Sequence, residues 1–203
     1  MKRRISIVAF IFSILMLWGC YPQGPEYAEE LDIVVTSHNK DFDYTGKTTY
    51  AMPDKIVKIT GNLLEGETPE YIKDSQRILD MIEANMTAYG WTKVDVDASP
   101  DVLLLPAAWE TTTIYYWYDY WGWWYGGYWG WYYPYYPPVS YTSYTTGTLL
   151  MTIIDPNEVS TDEYPIKVWA GAINGLLTGS YSETRVREGI DKAFAISPYL
   201  DIN

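Results

Sequence analysis

Apolar positions recur along this chain in two periods, and the switches between them lay out an order of elements. Residues 31–37, through Leu31, Ile33, Val34 and Val35, are short and β-branched and read as a strand. A polar turn at 41–46 carries Phe42 and Tyr44, and a second short strand at 48–52 is stopped by Pro53. Residues 54–67 read as irregular, with Gly61 and Gly66. Then the period changes. Ile72, Ser75, Leu79, Ile82, Met86 and Tyr89 are spaced by threes and fours, a helical stripe interrupted by one small serine. Thr68 is the expected N-cap, with Pro69 at the first helical position and Glu70 in the first turn, where the helix dipole favours an anion. Gly90 supplies the left-handed stop.

Beyond that helix, residues 93–97 alternate polar and apolar and predict a half-exposed strand, with Asp95 and Asp97 on one face. Residues 101–105 predict a more buried strand, ended or bulged at Pro106. Residues 148–154 read as a fully buried strand closed by Asp155 and Pro156, 155–165 as a hairpin loop, and 166–173 as an alternating strand. Ser180 and Glu183 have the spacing of a capping box. Val186, Ile190 and Phe194 continue as a helical stripe that ends by Pro198. Consecutive strands with short loops favour antiparallel pairing. The order therefore predicts an α+β fold: two layers, a mostly antiparallel sheet, two helices on one of its faces and a long aromatic-rich hairpin or loop.

The N-terminus changes the picture of where such a domain works. Lys2, Arg3 and Arg4 precede fourteen uncharged residues, 5–18. A helix of that length spans roughly 21 Å, short of a hydrocarbon core of about 30 Å, and fits an export signal better than a permanent anchor. It ends in Leu17, Trp18, Gly19 and Cys20, which resembles a lipobox with Trp18 in place of the usual small or β-branched residue. Residues 1–19 are thus expected to be a lipoprotein signal peptide, and Cys20, the only cysteine, to carry acyl chains such as palmitate. Two or more chains anchor stably where one holds marginally. Residues 20–30, with Pro22, Gly24 and Pro25, read as a tether, and 31–203 as a single domain. The expected location is the cell envelope, lipid-anchored. Tyr21 rather than Asp after the cysteine favours the outer membrane over the inner.

Removing residues 1–19 with their three basic groups takes the formal charge from −12 to −15. Such a balance argues against nucleic acid, whose phosphates are bound by clustered Lys and Arg. With one cysteine there is no internal disulfide, so the domain rests on its core.

Residues 115–136 stand apart. Sixteen of these twenty-two are Tyr or Trp, the rest being Asp119, four glycines and Pro134, inside an insertion at 110–145. No Lys or Arg occurs between Lys93 and Lys167. So much aromatic surface exceeds what one domain buries beside its own core. Trp117, Tyr120, Trp121, Trp123, Trp124, Trp129 and Trp131 are the candidate contact surface. Three occupants compete: sugar rings stacked on the aromatic faces, a membrane–water interface where amphipathic aromatics settle, and packing on the chain's own sheet or another protein. The tract is expected to be dispensable for folding.

Catalytic constellations are not found. His38, the single histidine, lies at the end of the first strand and reads as a surface turn residue. No serine sits in a nucleophile elbow, no zinc pattern exists, and Gly171 and Gly175 lie in a strand pattern where glycine more often marks a bulge. Neither a metal nor a cofactor is expected. Asp95, Asp97 and Asp101 are the carboxylates that could bind calcium or serve glycoside hydrolysis, although a solvated strand face is the commoner role. The function read from these residues is a non-enzymatic, membrane-anchored envelope protein whose aromatic surface contacts protein, glycan or lipid. The alternative is a hydrolase of envelope polysaccharide using acidic residues.

Several short pieces in a fixed order also carry a family resemblance: Phe42 with Thr48, Thr49, Tyr50 and Ala51; Ala88, Tyr89, Gly90 and Trp91; and Pro100 through Leu104. Gly147 through Asp155, then Val168, Trp169, Ala170 and Gly171, and Ile190 through Phe194 followed by Pro198, continue the series. Together they resemble the bacterial lipoproteins grouped as domain of unknown function 4136, over roughly residues 40–200. The resemblance implies an envelope lipoprotein, often with an aromatic insertion before the last strand pair. It implies no catalytic residues.

Overall fold

The computed structural model describes residues 33–59, 70–73, 75–109, 147–159, 165–177 and 181–203. The signal peptide, Cys20, the tether, the aromatic insertion with its seven named contact residues, and Thr68, Pro69 and Ser180 lie outside the described residues. The described residues all belong to one compact unit.

The strands are β1 (Val34–His38), β2 (Thr49–Ala51), β3 (Val57–Ile59), β4 (Thr92–Lys93), β5 (Val102–Trp109), β6 (Thr148–Val159) and β7 (Pro165–Ile173). The helices are α1 (Ser75–Ala88) and α2 (Glu183–Ala195), with short 3-10 turns at Val96–Ala98 and Pro198–Leu200. The sheet runs β1-β7-β6-β5-β2-β4, and β3 shares with β2 the edge of β5 that faces away from β6. The long pairs β1–β7, β6–β7 and β5–β6 are antiparallel, whereas β2 and β3 join β5, and β4 joins β2, in parallel. The fold is α+β with a mostly antiparallel sheet, as the order of elements and the short loops between strands predict.

Alternation along the central strands sorts side chains onto two faces. Val102, Leu104 and Ala108 of β5, Leu149, Met151 and Ile153 of β6, and Trp169 and Ile173 of β7 join one core with the buried faces of both helices. Ala51, Val57, Leu103, Leu105, Ala107, Leu150, Ala170 and Ala172 form a second apolar cluster on the reverse face, each at most 2 % exposed. Both faces are apolar, so the central strands read as near-continuous hydrophobic runs.

α1 buries Ser75, Ile78, Leu79, Met81, Ile82 and Met86. It ends in a Schellman motif. The Trp91 amide donates to the Met86 carbonyl at 3.0 Å and the Gly90 amide to the Thr87 carbonyl at 3.0 Å, with Gly90 at φ 90°. Trp91 then packs in the same core as Met86. The start differs from the expected one. Residues 70–72 are extended rather than helical: Tyr71 bridges Val57, the Lys58 amide donates to the Glu70 carbonyl, and the Ile72 amide donates to the Ile56 carbonyl. β3, which the sequence does not announce, thus takes residues 70–72 as a partner, and the helix begins at Ser75. There the Ser75 hydroxyl accepts from the Ile56 amide and donates to the Ile72 carbonyl, which explains a serine in the apolar stripe.

Other expectations shift for local reasons. The strand expected at 93–97 stops after Lys93, because the Ala98 amide turns back onto the Asp95 carbonyl and Ser99 takes a left-handed φ of 55°. Pro106 neither ends nor bulges β5. It falls between the stretch paired with β2 and the stretch paired with β3, where that edge of the ladder is already interrupted. β6 runs on through Asp155 and Pro156 to Val159, so the expected hairpin loop is shorter, and register shifts fall at Ile153/Ile154 and Asp155/Val159. Gly171 marks no bulge: a Cβ there would come within 2.6 Å of the Trp169 ring, so the glycine makes room for the indole folded along its own strand. The N-cap of α2 is Ser182, whose side chain accepts from the Arg185 amide.

Candidate functional site

Two features can carry function: a polar cluster at one end of the sheet and the chain crossings at the other. The cluster is built from the turn before β2. Asp43 accepts from the Thr45 amide, Gly46 takes φ 75°, and the Lys47 amide closes the turn on the Tyr44 carbonyl at 3.1 Å. This aims Lys47 at β6, with its ammonium 5.2 Å from the centre of the Phe42 ring and 2.6 Å from Asp155 Oδ2. Asp155 is fully buried, and its other oxygen accepts from the Asn157 amide at 2.7 Å. Its two oxygens are therefore both engaged, as a buried carboxylate requires.

Asp101 sits beside this pair. Its Oδ2 accepts from the amides of Thr48 and Thr49 at 2.9 Å each and from the Thr49 hydroxyl at 2.7 Å, and its own amide donates back to Thr49 Oγ1. Burial acts to raise its pKa. The Thr49 hydroxyl, the two amides and the nearby Lys47 charge together outweigh burial and hold the carboxyl below its ordinary 3.8. The stabilisation this confers is full above that ordinary value and is lost as pH falls through the lower folded one. Asp101→Asn is expected to remove part of the acid sensitivity of the thermal midpoint below about pH 4, and an unaltered acid limb would refute this role.

Lys47 is the more consequential residue, because Asp155 has no water to fall back on. Lys47→Met is expected to cost about 3–5 kcal/mol, the range for leaving a buried charge unpaired. Lys47→Met combined with Asp155→Asn should recover much of that loss. Urea midpoints of the three proteins decide it. A loss near the ~1 kcal/mol of a surface pair would mean that the pair is not buried in solution.

The sequence-predicted carboxylates do not converge. Asp95 and Asp97 are exposed on the 3-10 turn rather than aligned on a strand face, and Asp101 is engaged by the β2 turn. His38 does lie at the end of β1, stacked on Tyr199 with ring centroids 3.7 Å apart. Among the described residues, no group of three or more His, Cys, Asp or Glu side chains could hold a metal ion, and no helix is long and apolar enough to cross a membrane. The Lys47–Asp155 pair has no signal in the sequence, since its members are 108 positions apart.

At the opposite end of the sheet, one row of paired residues crosses five strands: Val34 with Ile173, Ile173 with Leu149, Leu149 with Ala108, and Ala108 with Lys58. One residue beyond Ala108 and Leu149, Trp109 pairs with Thr148. The chain therefore leaves for the aromatic insertion and returns from it on adjacent paired strands, at the sheet end where it first enters through Val34.

Among the described residues, a seven-stranded mixed sheet with two helices in one core defines a single-sheet α+β domain. The chain belongs to the family described as Domain of unknown function (DUF4136), whose model matches residues 34–199. Among solved structures it is similar to a DUF4136 family protein from Bacteroides thetaiotaomicron, with 28% identity and a TM-score of 0.59 over 83% of this chain and 97% of that one. A PDZ domain protein from Parabacteroides distasonis matches at 18% identity and a TM-score of 0.44, over 83% of this chain and 36% of that one. No curated protein matches.

Proposed function

We propose that this chain is an envelope lipoprotein, acylated at Cys20, whose non-enzymatic role is contact through the aromatic tract, and that the surface contacted is the bilayer holding its own anchor. The observation that carries this reading is the shared sheet end of Val34, Trp109 and Thr148. Val34 and Ala108 are three strand spacings apart, about 14 Å at about 4.8 Å each. Residues 20–33 join Cys20 to that end, and a chain of that length reaches at most about 47 Å. By connectivity, the insertion starts and finishes at the sheet end from which the chain runs back to Cys20. Tyr and Trp settle at a membrane–water interface through an apolar ring and a polar edge. The mature charge of −15 and the absence of Lys and Arg from the insertion leave aromatic partitioning, rather than attraction to anionic head groups, as the driving term. Glycan or protein contact remains the competing occupant. The hydrolase alternative gains no support from the described carboxylates, since Asp101 is held by the β2 turn and Asp95 and Asp97 stand exposed.

Six of the ten tryptophans lie in residues 115–136, which gives a direct test. In the acylated full chain placed in vesicles, lipids brominated on the acyl chain should quench most tryptophan emission, while Trp91 and Trp169, buried in the core, stay bright. Unquenched emission from an anchored protein would remove the bilayer as the occupant. Cys20→Ala should abolish labelling of the protein in cells by a clickable palmitate, and unchanged labelling would sink the lipoprotein reading.

A further inference from the structure

The turn that follows β7, residues 174–177, is bonded to the starts of two other strands. The Asn174 amide donates to the Ile33 carbonyl at 3.0 Å, just before β1, and the Leu177 amide donates to the Gly147 carbonyl at 2.7 Å, just before β6. Helix α2 begins at the same end, since the Arg185 guanidinium donates to the Gly175 carbonyl at 2.9 Å and Ser182 caps the turn that carries Arg185. Tyr181 directly precedes that cap. Among the described residues the exposed large hydrophobic ones are Ile33 at 59 %, Ile196 at 45 % and Tyr181 at 39 %. Two of the three stand at this sheet end, and Leu177, half-buried against the helix-side core, stands there with them. Ile196 does not. Its neighbour Ser197 accepts from the Trp169 indole, and Trp169 pairs with His38, five residues or about 17 Å along β1 from Ile33.

We propose that this sheet end is itself a bilayer contact, in which Ile33, Leu177 and Tyr181 settle at the membrane–water interface. The inference rests on the bilayer reading above and extends it from the aromatic tract to the folded domain. Exposed hydrophobic residues scattered singly over a surface need no occupant. These are singled out by connectivity, because the chain that starts at acylated Cys20 ends on Ile33. Of the two ends of the sheet, this is the one tied to lipid. An acyl anchor holds the domain near the bilayer without orienting it, and an apolar contact beside the tether supplies the second, orienting signal. Tyrosine places its ring among the head groups and its hydroxyl toward water, and the two aliphatic side chains gain by leaving water.

Charge limits the depth. Asp32 and Glu110 adjoin Ile33 and Trp109 in the sequence, Lys58 and Glu70 meet at the end of β3, and Glu183 and Arg185 lie in the first turn of α2. Carrying such groups into hydrocarbon is costly. The contact therefore reaches the head-group boundary, with these charges left in water, and the strands stand away from the membrane rather than flat against it.

Cys20 is the chain's only cysteine and acylation occupies its thiol, so a cysteine introduced elsewhere takes a fluorescent probe alone. The acylated full chain in phosphatidylcholine vesicles is labelled with nitrobenzoxadiazole at Ile33→Cys, Leu177→Cys or Tyr181→Cys, with Ile196→Cys as the control at the far end. Lipid carrying a nitroxide near the head group should quench the first three severalfold more than the control, and iodide in the water should reverse that order. Ile33→Asp combined with Tyr181→Asp should cut lipid quenching of the Leu177→Cys probe severalfold while the thermal midpoint stays in place, because both side chains are exposed. Equal quenching at all four positions overturns the proposal, as does a double variant that leaves the Leu177→Cys probe quenched as before. If the tryptophans of the same protein are then still quenched by brominated lipid, the tract touches the bilayer alone and the reading of the tract stands. Quenched probes beside bright tryptophans would uphold the docked sheet end and overturn the contact by the tract.

Discussion

A chain cut after Ile196 is expected not to fold, although the seven residues removed look like a tail. Ser197 is fully buried and its hydroxyl accepts from the Trp169 indole at 2.9 Å and from the Tyr199 hydroxyl at 3.1 Å. The Leu200 carbonyl accepts from the Trp91 indole at 2.8 Å, and its side chain is fully buried in the helix-side core. The Ile202 amide donates to the Tyr89 carbonyl and the Asn203 side chain to the Ala88 carbonyl, so the end of the chain also finishes the C-terminus of α1. Truncation leaves two buried indole donors without acceptors, each costing about 1–3 kcal/mol, and removes a buried leucine, whose loss with the cavity left behind costs about 2–5 kcal/mol. Together these approach the roughly 5–15 kcal/mol that holds a domain together. Circular dichroism should show no cooperative melt in the truncated protein. A melt within a few degrees of the full chain's would show that the tail only decorates α1.

That tail also shows where reading the sequence stops. Leu79, Ile82 and Met86 announce their helix because one periodic face suffices, and Gly90 announces its end because few residues other than glycine tolerate φ 90°. Signals that depend on a distant partner are silent. Nothing local to Ser197 says that it meets Trp169, and nothing at Lys47 says that Asp155 waits in β6. The expected cap around Thr68 and Glu70 is a local rule overridden by a tertiary one, since the backbone of residues 70–72 is taken by β3. The alternation at 93–97 fails in the same way: two residues of ladder against β2 are all that the sheet edge accommodates before the chain turns toward β5. Gly171 is legible only once Trp169 is seen to lie across it. The aromatic tract is conspicuous in the sequence, but the sheet end at which the chain leaves for it and returns emerges only from the register of β1, β7, β6 and β5.

Replacing residues 115–136 by a short Gly-Ser linker is expected to abolish quenching by brominated lipid while leaving a folded, acylated protein. Topology favours survival of the fold, because Trp109 and Thr148 are already paired neighbours and changing loop length costs only about 0.6 kcal/mol per doubling. Among the described residues, the helix-side core of Leu104, Met151, Ile153, Trp169, Ile82, Met86, Ile190 and Phe194 is supplied by the sheet and the two helices. The opposing consideration is the reverse face. Leu103, Leu105 and Leu150 are buried there, and the half-buried hydrophobic residues packed against that cluster among the described ones are Tyr71, Val96 and Ile154. Exposing a buried leucine costs about 1.5–3 kcal/mol, so uncovering all three would exceed the loop term several times over and bring the domain close to unfolding. The thermal midpoint separates the cases. A midpoint within a few degrees of the parent's, together with emission that brominated lipid no longer quenches, makes the tract a membrane-facing surface that the fold does not need. A collapse of the midpoint makes the tract part of the cover of that face, and the lipid reading then loses its main support.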